Sequence, residues 1–155
     1  MSLASVLRDL GHKRWFARVG RVLVRADRRV GLLTKGRLVA FGSRELPSML
    51  ITTTGARSGL RRTSPLLYVT DGDAYIVVGS NWGQSHHPAW SANLIAHPDA
   101  TVTIRGRTTP VRAQLMKGSE RDRLWDLMRQ MWPAYDTYAQ RAGREIRVFR
   151  LVPTR

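Results

Sequence analysis

The chain of 155 residues carries 26 Lys and Arg against 11 Asp and Glu, a formal charge of +15, with 43% hydrophobic residues and no cysteine. A domain of this size buries roughly 70% of the surface its unfolded chain exposes, which argues for one globular unit and against a tandem of domains or wholesale disorder. Disulfides, thiolate nucleophiles, Cys-ligated zinc and iron–sulfur clusters are excluded outright.

Arginine supplies 23 of the 26 basic residues. Its planar fork grips carboxylate and phosphate, so the composition points to an anionic partner: nucleic acid, a membrane surface or a polyanionic small molecule. The longest stretch without a charged residue, 74–98, contains Asn81, Gln84, His86, His87, Pro88 and Asn93, a poor match to hydrocarbon. The leucines of the N-terminus are interrupted by Arg8, Asp9, Lys13 and Arg14, so no signal-peptide core forms and a cytoplasmic location is expected.

Residues 1–37 form a basic helical segment, with ten basic residues and two acids. Leu3, Val6, Leu7 and Leu10 recur with the period of one helical face, and a second stripe follows at Trp15, Val19, Val22, Leu23 and Ala26. Beside it, offset by one, run Arg14, Arg18, Arg21, Arg25 and Arg28. Such a helix either lies in a membrane interface with its arginines at the headgroups, or packs on the domain with its arginines in water. From residue 46 the pattern turns to strands: 49–54, 62–70 and 74–79, with a hairpin turn at Asp71-Gly72-Asp73. A short helix over 88–96 and a hairpin of 101–105 with 108–115 come next. Ser119 is expected to cap a helix running to about 131. A helical segment over 133–141 and a last strand over 146–152 complete the chain. The fold class is mainly β with helices: a small barrel over 46–153 with two or three appended helices and the N-terminal basic helix.

Three stretches carry chemistry. In residues 52–63, Gly55 and Gly59 permit a tight turn with exposed N–H groups, Ser58 and Thr63 add hydroxyls, and Arg57, Arg61 and Arg62 add forked charge. These are the parts of a phosphate or carboxylate cradle, although a basic hairpin turn has the same composition. In residues 79–93, Trp82 and Trp90 offer aromatic walls and Ser80 and Asn93 directed polar groups, as a planar heterocycle requires; Trp90 is equally at home in a core. Tyr135 and Tyr138, three apart, present two phenols that can hold a carbonyl or donate to a developing oxyanion, or simply pack. His86 and His87 are adjacent, point apart and have no nearby carboxylate, so no metal site is assigned. No nucleophile elbow or carboxylate pair is present, so an enzyme of this sequence borrows the reactivity of a cofactor.

Taken together, Ile51-Thr52-Thr53-Thr54-Gly55-x-Arg57-Ser58-Gly59-x-x-Arg62-Thr63-x-Pro65-Leu66, Gly79-Ser80, His87-Pro88-x-Trp90-x-x-Asn93-Leu94, His97-Pro98 and Tyr135-x-x-Tyr138 resemble the deazaflavin-dependent nitroreductases and quinone reductases of actinobacteria. The resemblance implies an FMN-binding-like split β-barrel and coenzyme F420, an 8-hydroxy-5-deazaflavin with a phospholactyl-oligoglutamate tail. It implies hydride transfer to a quinone, enone or nitroaromatic acceptor. By the same resemblance Arg57, Ser58, Gly59, Arg62 and Thr63, with Thr54, hold the tail. Pro65, Leu66 and Leu67 line the ring, and Gly79, Ser80, Asn81, Trp82, Trp90 and Asn93 close the pocket. Tyr135, Tyr138 and Ser80 are then the catalytic candidates, and residues 1–37 a route to peripheral membrane contact. Three positions depart from the family pattern: Ala56 replaces a basic residue, Asn81-Trp82 replaces a lysine with small glycines, and Trp132 replaces a tyrosine found in activators of nitro drugs. These departures imply a weaker tail contact, an indole near the pocket mouth and a cavity less suited to bulky nitroimidazoles. FMN in the same barrel is the alternative cofactor. A deazaflavin carrier without turnover and a basic nucleic-acid-binding module are the non-enzymatic alternatives; the clustering of glycines, tryptophans and Asn93 speaks against the last.

Overall fold

The computed structural model describes residues 3–33 and 46–154. Its elements are α1 (Leu3–Gly11), α2 (Arg14–Leu33), β1 (Ser48–Thr54), β2 (Arg61–Leu67), β3 (Val69–Asp71), β4 (Ala74–Val78), α3 (Ala89–Ala96), β5 (Asp99–Ile104), β6 (Arg107–Leu115), α4 (Gly118–Met131), α5 (Ala134–Ala142) and β7 (Val148–Pro153). The strands form one antiparallel sheet in the order β2-β1-β5-β6-β7-β4-β3. β2 and β3 are its two outer strands, yet only Tyr68 separates them in the chain, so the sheet must curl round on itself. That curl makes the barrel, and it explains why the expected single strand over 62–70 is two: the chain leaves β1's side at Leu67 and joins β4's side at Val69.

Alternation along the strands sorts side chains into two cores. On β4, Val77 points into a cluster with Met49, Ile51, Val102, Val111, Phe149 and Leu151, capped by Trp90 and Leu94 of α3. Its neighbours Ile76 and Val78 point the other way, into a cluster with Leu124, Met128, Trp132, Tyr135 and Tyr138 from α4, α5 and the residue between them. At about 25 cal/mol per Å² of apolar surface, each fully buried Leu, Ile or Phe in these layers contributes roughly 1.5–3 kcal/mol. A charged cluster latches the curled edge: Asp71 of β3 accepts from Arg123 of α4 at 2.8 Å and from Arg150 of β7 at 2.5 Å. The two guanidiniums hold the Asp71 carboxyl down at about 2. The helix expected to be capped by Ser119 begins two residues earlier, with Lys117 at its cap and no side-chain cap bond.

The N-terminal segment is two helices, and both pack on the barrel; residues 1, 2 and 34–37 of the expected segment, and the side chain of Ala26, lie outside what the structure describes. Ala4 joins the second core, Arg8 Nε donates to the Met131 carbonyl at 2.8 Å, and His12 bonds Thr137 at 2.5 Å. On α2 the inward positions are Phe16, Ala17 and Gly20. The stripe singled out by periodicity turns outward instead: Trp15, Val19, Val22 and Leu23 are 53%, 46%, 69% and 52% exposed. Phe16 packs its ring 6.4 Å from that of Trp132, and glycines let both helix axes approach an indole. Gly11 abuts Trp132, and Gly20 lies so close to Trp82 that any Cβ there would collide with the ring.

Candidate active site

A cleft of about 560 Å³ opens where β2, the segment after β4, and the α4–α5 corner meet under α2. Its apolar walls are Pro65, Leu66 and Leu67 from β2, Val78 from β4, and the rings of Trp82, Trp90 and Trp132. Its polar groups are Ser48, Ser64, Ser80, Asn81, His86, His87, Tyr135 and Tyr138. A mostly apolar concavity of this size with a few convergent donors suits a planar ring system.

The phenols come from one turn of α5. Tyr135 and Tyr138 meet edge to face, ring centroids 6.2 Å apart. Burial pushes both phenols above their ordinary value, with the neighbouring Tyr138 adding to the rise at Tyr135. Both therefore keep their protons at neutral pH and act as O–H donors. Among the described residues the Tyr138 hydroxyl is buried with no partner at full hydrogen-bond geometry; the Trp132 indole N–H is close enough to restrain the upward shift without completing a bond. An orphaned buried hydroxyl on a cleft wall costs free energy until something polar reaches it, which is how a site waiting for a ligand oxygen looks.

One end of β2 lies on this cleft and the other at the arginine turn. Strand rise places Arg62 about 13 Å from Leu66, four residues further on. The turn is built before any ligand arrives. Gly55 N–H donates to the Leu60 carbonyl at 2.8 Å, Gly59 N–H to the Gly55 carbonyl at 2.9 Å, and Leu60 N–H to Ser58 Oγ at 3.2 Å. Gly55 permits this, since a Cβ there would occupy the place of Ser58 Oγ, and Gly59 sits at a left-handed φ of +68°. Among the described residues the N–H groups of Arg57 and Ser58 make no hydrogen bond, and neither Arg57 nor Arg62 has an acidic partner. The result is an exposed, positively charged turn with unpaired donors, chemically matched to phosphate and carboxylate.

Of the residues expected at the site, Pro65, Leu66, Leu67, Ser80, Asn81, Trp82, Trp90, Tyr135 and Tyr138 line the cleft together. Thr54, Arg57, Ser58, Gly59, Arg62 and Thr63 lie outside its lining, on the hairpin end of β1 and β2. Thr63 Oγ1 bonds Thr52 at 2.9 Å, and Thr54 Oγ1 accepts from Arg61 at 3.3 Å. Gly79 is buried behind the cleft. Asn93 does not reach it either: only 6% exposed, its Oδ1 accepts from Ala56 N–H at 2.9 Å and its Nδ2 donates to Thr53 at 3.0 Å. It pins the arginine turn to α3, a positioning role that spacing with Trp90 did not suggest.

Sequence reasoning passed over Ser48, Ser64, Val78, Pro88 and Ala89 as lining residues, and Arg144 altogether. Arg144 binds the segment after β4 by its carbonyls: Gln84 through Nε, Gly79 through both Nη atoms, Ser80 and His86 through Nη2, all between 3.0 and 3.2 Å. That segment needs a clamp, because Asn81 and Trp82 both sit at positive φ, 46° and 57°. No pattern within residues 79–88 could reveal a clamp that arrives from a loop some 60 residues away. No group of three or more His, Asp or Glu suited to a metal occurs among the described residues.

Comparison with known proteins agrees with this geometry. An F420H(2)-dependent quinone reductase of Mycobacterium tuberculosis is 34% identical over 139 residues, 87% of this chain and 93% of that protein. A solved F420-H2 dependent reductase (FDR-A) is 36% identical with a TM-score of 0.63, over 68% of this chain and 93% of its own. The heme storage protein HutZ of Vibrio cholerae, at 14% identity and a TM-score of 0.55 over 70% of this chain and 82% of its own, shares the fold alone. A family profile described as F420H(2)-dependent quinone reductase matches residues 10–153, and the chain belongs to that family.

Proposed function

We propose that this protein reduces a quinone, with the arginine turn holding the acidic tail of coenzyme F420 and the cleft holding the ring and the acceptor. Family membership makes the chain an F420-dependent oxidoreductase with coenzyme F420 as its cofactor, and FMN need not be invoked. The residues present fit that coenzyme: an unpaired donor cradle at one end of β2, and at the other an apolar slot containing an orphaned buried hydroxyl. When bound, the reduced coenzyme supplies a hydride.

Arg57, Arg62, Ser58 and Thr63 bind tail phosphate and carboxylate, and Pro65, Leu66, Leu67 and Trp90 sandwich the ring and exclude water. Ser80, Tyr135 and Tyr138 face the acceptor. Their O–H groups stabilise charge developing on its oxygen and make a proton available there. The observation that carries this reading is the continuous run of β2 from cradle to cleft. Titration of the purified chain with reduced F420, followed by turnover with a panel of quinones, enones and nitroaromatics, tests it. Micromolar binding and a preference for quinones are expected; no binding refutes the site, and binding with preference for a nitroaromatic refutes the acceptor.

The outer face of α2 supports peripheral attachment to an anionic lipid surface. Trp15, Val19, Val22 and Leu23 stand exposed, flanked by the exposed Arg14 and Arg18, on a helix whose opposite face sets Gly20 against Trp82 of the cleft wall. Among the described residues no helix is long and apolar enough to cross a membrane. Sedimentation with vesicles should show binding that requires anionic lipid; equal recovery with neutral vesicles, or none with either, refutes this attachment.

A further inference from the structure

Of the polar side chains that line the cleft after β4, Asn81 is satisfied within that segment. Asn81 Nδ2 donates to the His86 carbonyl at 3.1 Å, and Asn81 Oδ1 accepts from Gln84 at 3.2 Å. His87 is different. Its Nδ1 lies 3.1 Å from Arg144 Nη1. A guanidinium has no lone pair to offer and does not lose its proton, so it must be the donor and Nδ1 the acceptor. That fixes the tautomer with hydrogen on Nε2. Among the described residues Nε2 has no protein partner, and the ring lines the cleft.

The charged groups around the ring are all positive. Arg144 reaches it from the loop between α5 and β7, and Arg147, whose guanidinium also donates to Ser91 of α3 at 2.9 Å, comes from the same loop. Burial and these two charges push the imidazole below its ordinary value, so it stays neutral at physiological pH.

We infer that His87, locked by Arg144 as the Nε2–H tautomer, is a specificity-determining hydrogen-bond donor to a ring carbonyl oxygen in the cleft. A neutral imidazole is too weak an acid to deliver a proton, so its part is to orient and polarise that oxygen. The inference rests on the reading that the cleft holds the coenzyme ring and its acceptor. The carbonyl belongs to one of those two rings, and the kinetics tell which.

Nitrogen-15 NMR of the full chain at pH 7.5 should show the His87 ring neutral and protonated on Nε2, the signal being assigned by its loss in His87→Gln. A proton on Nδ1, or an imidazolium, overturns the inference without touching the cleft reading. In Arg144→Met the lock is gone and both tautomers should appear; an unchanged spectrum overturns the role of Arg144. His87→Leu removes the donor, whereas His87→Gln keeps an N–H at a similar reach. The Leu variant should lose about tenfold, recovered to within about threefold by Gln. Loss in the affinity for reduced F420 assigns the oxygen to the coenzyme; a raised KM for the quinone at unchanged F420 affinity assigns it to the acceptor. A Leu variant equal to wild type in both refutes the donor. Failure of the wild-type chain to bind F420 refutes instead the reading on which it rests.

Discussion

Asn93→Ala tests whether the arginine turn is held from behind. The side chain makes two hydrogen bonds, from Ala56 N–H at 2.9 Å and to Thr53 Oγ1 at 3.0 Å, and Thr53 is completely buried. Each bond contributes about 0.5–1.5 kcal/mol, and a buried hydroxyl deprived of its partner costs about 1–3 kcal/mol more. Allowing for rotation of the Thr53 hydroxyl, the variant should lose about 2–4 kcal/mol. At this chain length that corresponds to a fall in Tm of roughly 6–12 °C. Urea unfolding measures the loss. A cycle with Thr53→Val isolates the coupling, expected at about 1 kcal/mol. Freeing Ala56 also loosens the turn, so F420 affinity should drop about tenfold. A stability change below about 0.5 kcal/mol with no coupling to Thr53 would refute the positioning role; a large stability loss with F420 affinity intact would separate the turn from the tail.

Tyr138→Phe removes a buried hydroxyl that makes no well-formed hydrogen bond among the described residues, so it should leave the unliganded chain unchanged or more stable by about 1 kcal/mol while lowering kcat; a destabilised variant with normal turnover would contradict the ligand-facing role. Arg62→Ala should weaken F420 binding by about 1.5–3 kcal/mol, the scale of a charge-assisted bond, at nearly unchanged stability; calorimetric titration reads the difference. Gly20→Leu forces α2 away from Trp82, and the Trp82 environment should become more polar by fluorescence while the barrel stays folded. The Asp71 carboxyl lies at about 2 in the folded chain against an ordinary 3.8, so its contribution is complete above that ordinary value and disappears as the pH falls towards 2. Asp71→Asn should therefore flatten the acid limb of a stability–pH curve, and an unchanged limb would place the acid sensitivity elsewhere.

The sequence was most informative where chemistry and local geometry coincide. A β-branched run announced β1, the Asp71-Gly72-Asp73 turn announced β4 after it, and the Gly55–Gly59 spacing announced a tight basic turn, because β-branched side chains and glycine act on the backbone within a few residues. Asn93 and Arg144 were opaque for the opposite reason. An amide three residues from Trp90 shares a helix face only approximately, and here α3 turns it toward Thr53 and Ala56, some 40 residues upstream. Arg144 follows Gly143 in a short loop and looks like one more arginine among many until the fold brings five polar acceptors around it. Helical periodicity located the apolar stripe of α2 correctly but not its direction. Gly20 took the inward side because Trp82 leaves no room there for a side chain, and Phe16 took it because its ring packs on that of Trp132.

Three of the five tryptophans, Trp82, Trp90 and Trp132, stand on the cleft wall, and two of them also touch the N-terminal helices. The chain thereby carries its own optical reporter. Emission from those indoles must respond to an absorbing ring entering between them, and if the N-terminal helices bind a bilayer as proposed, Trp82 and Trp132 must respond to that as well. Whether docking and loading of the coenzyme influence one another can thus be followed in a cuvette without attaching any dye.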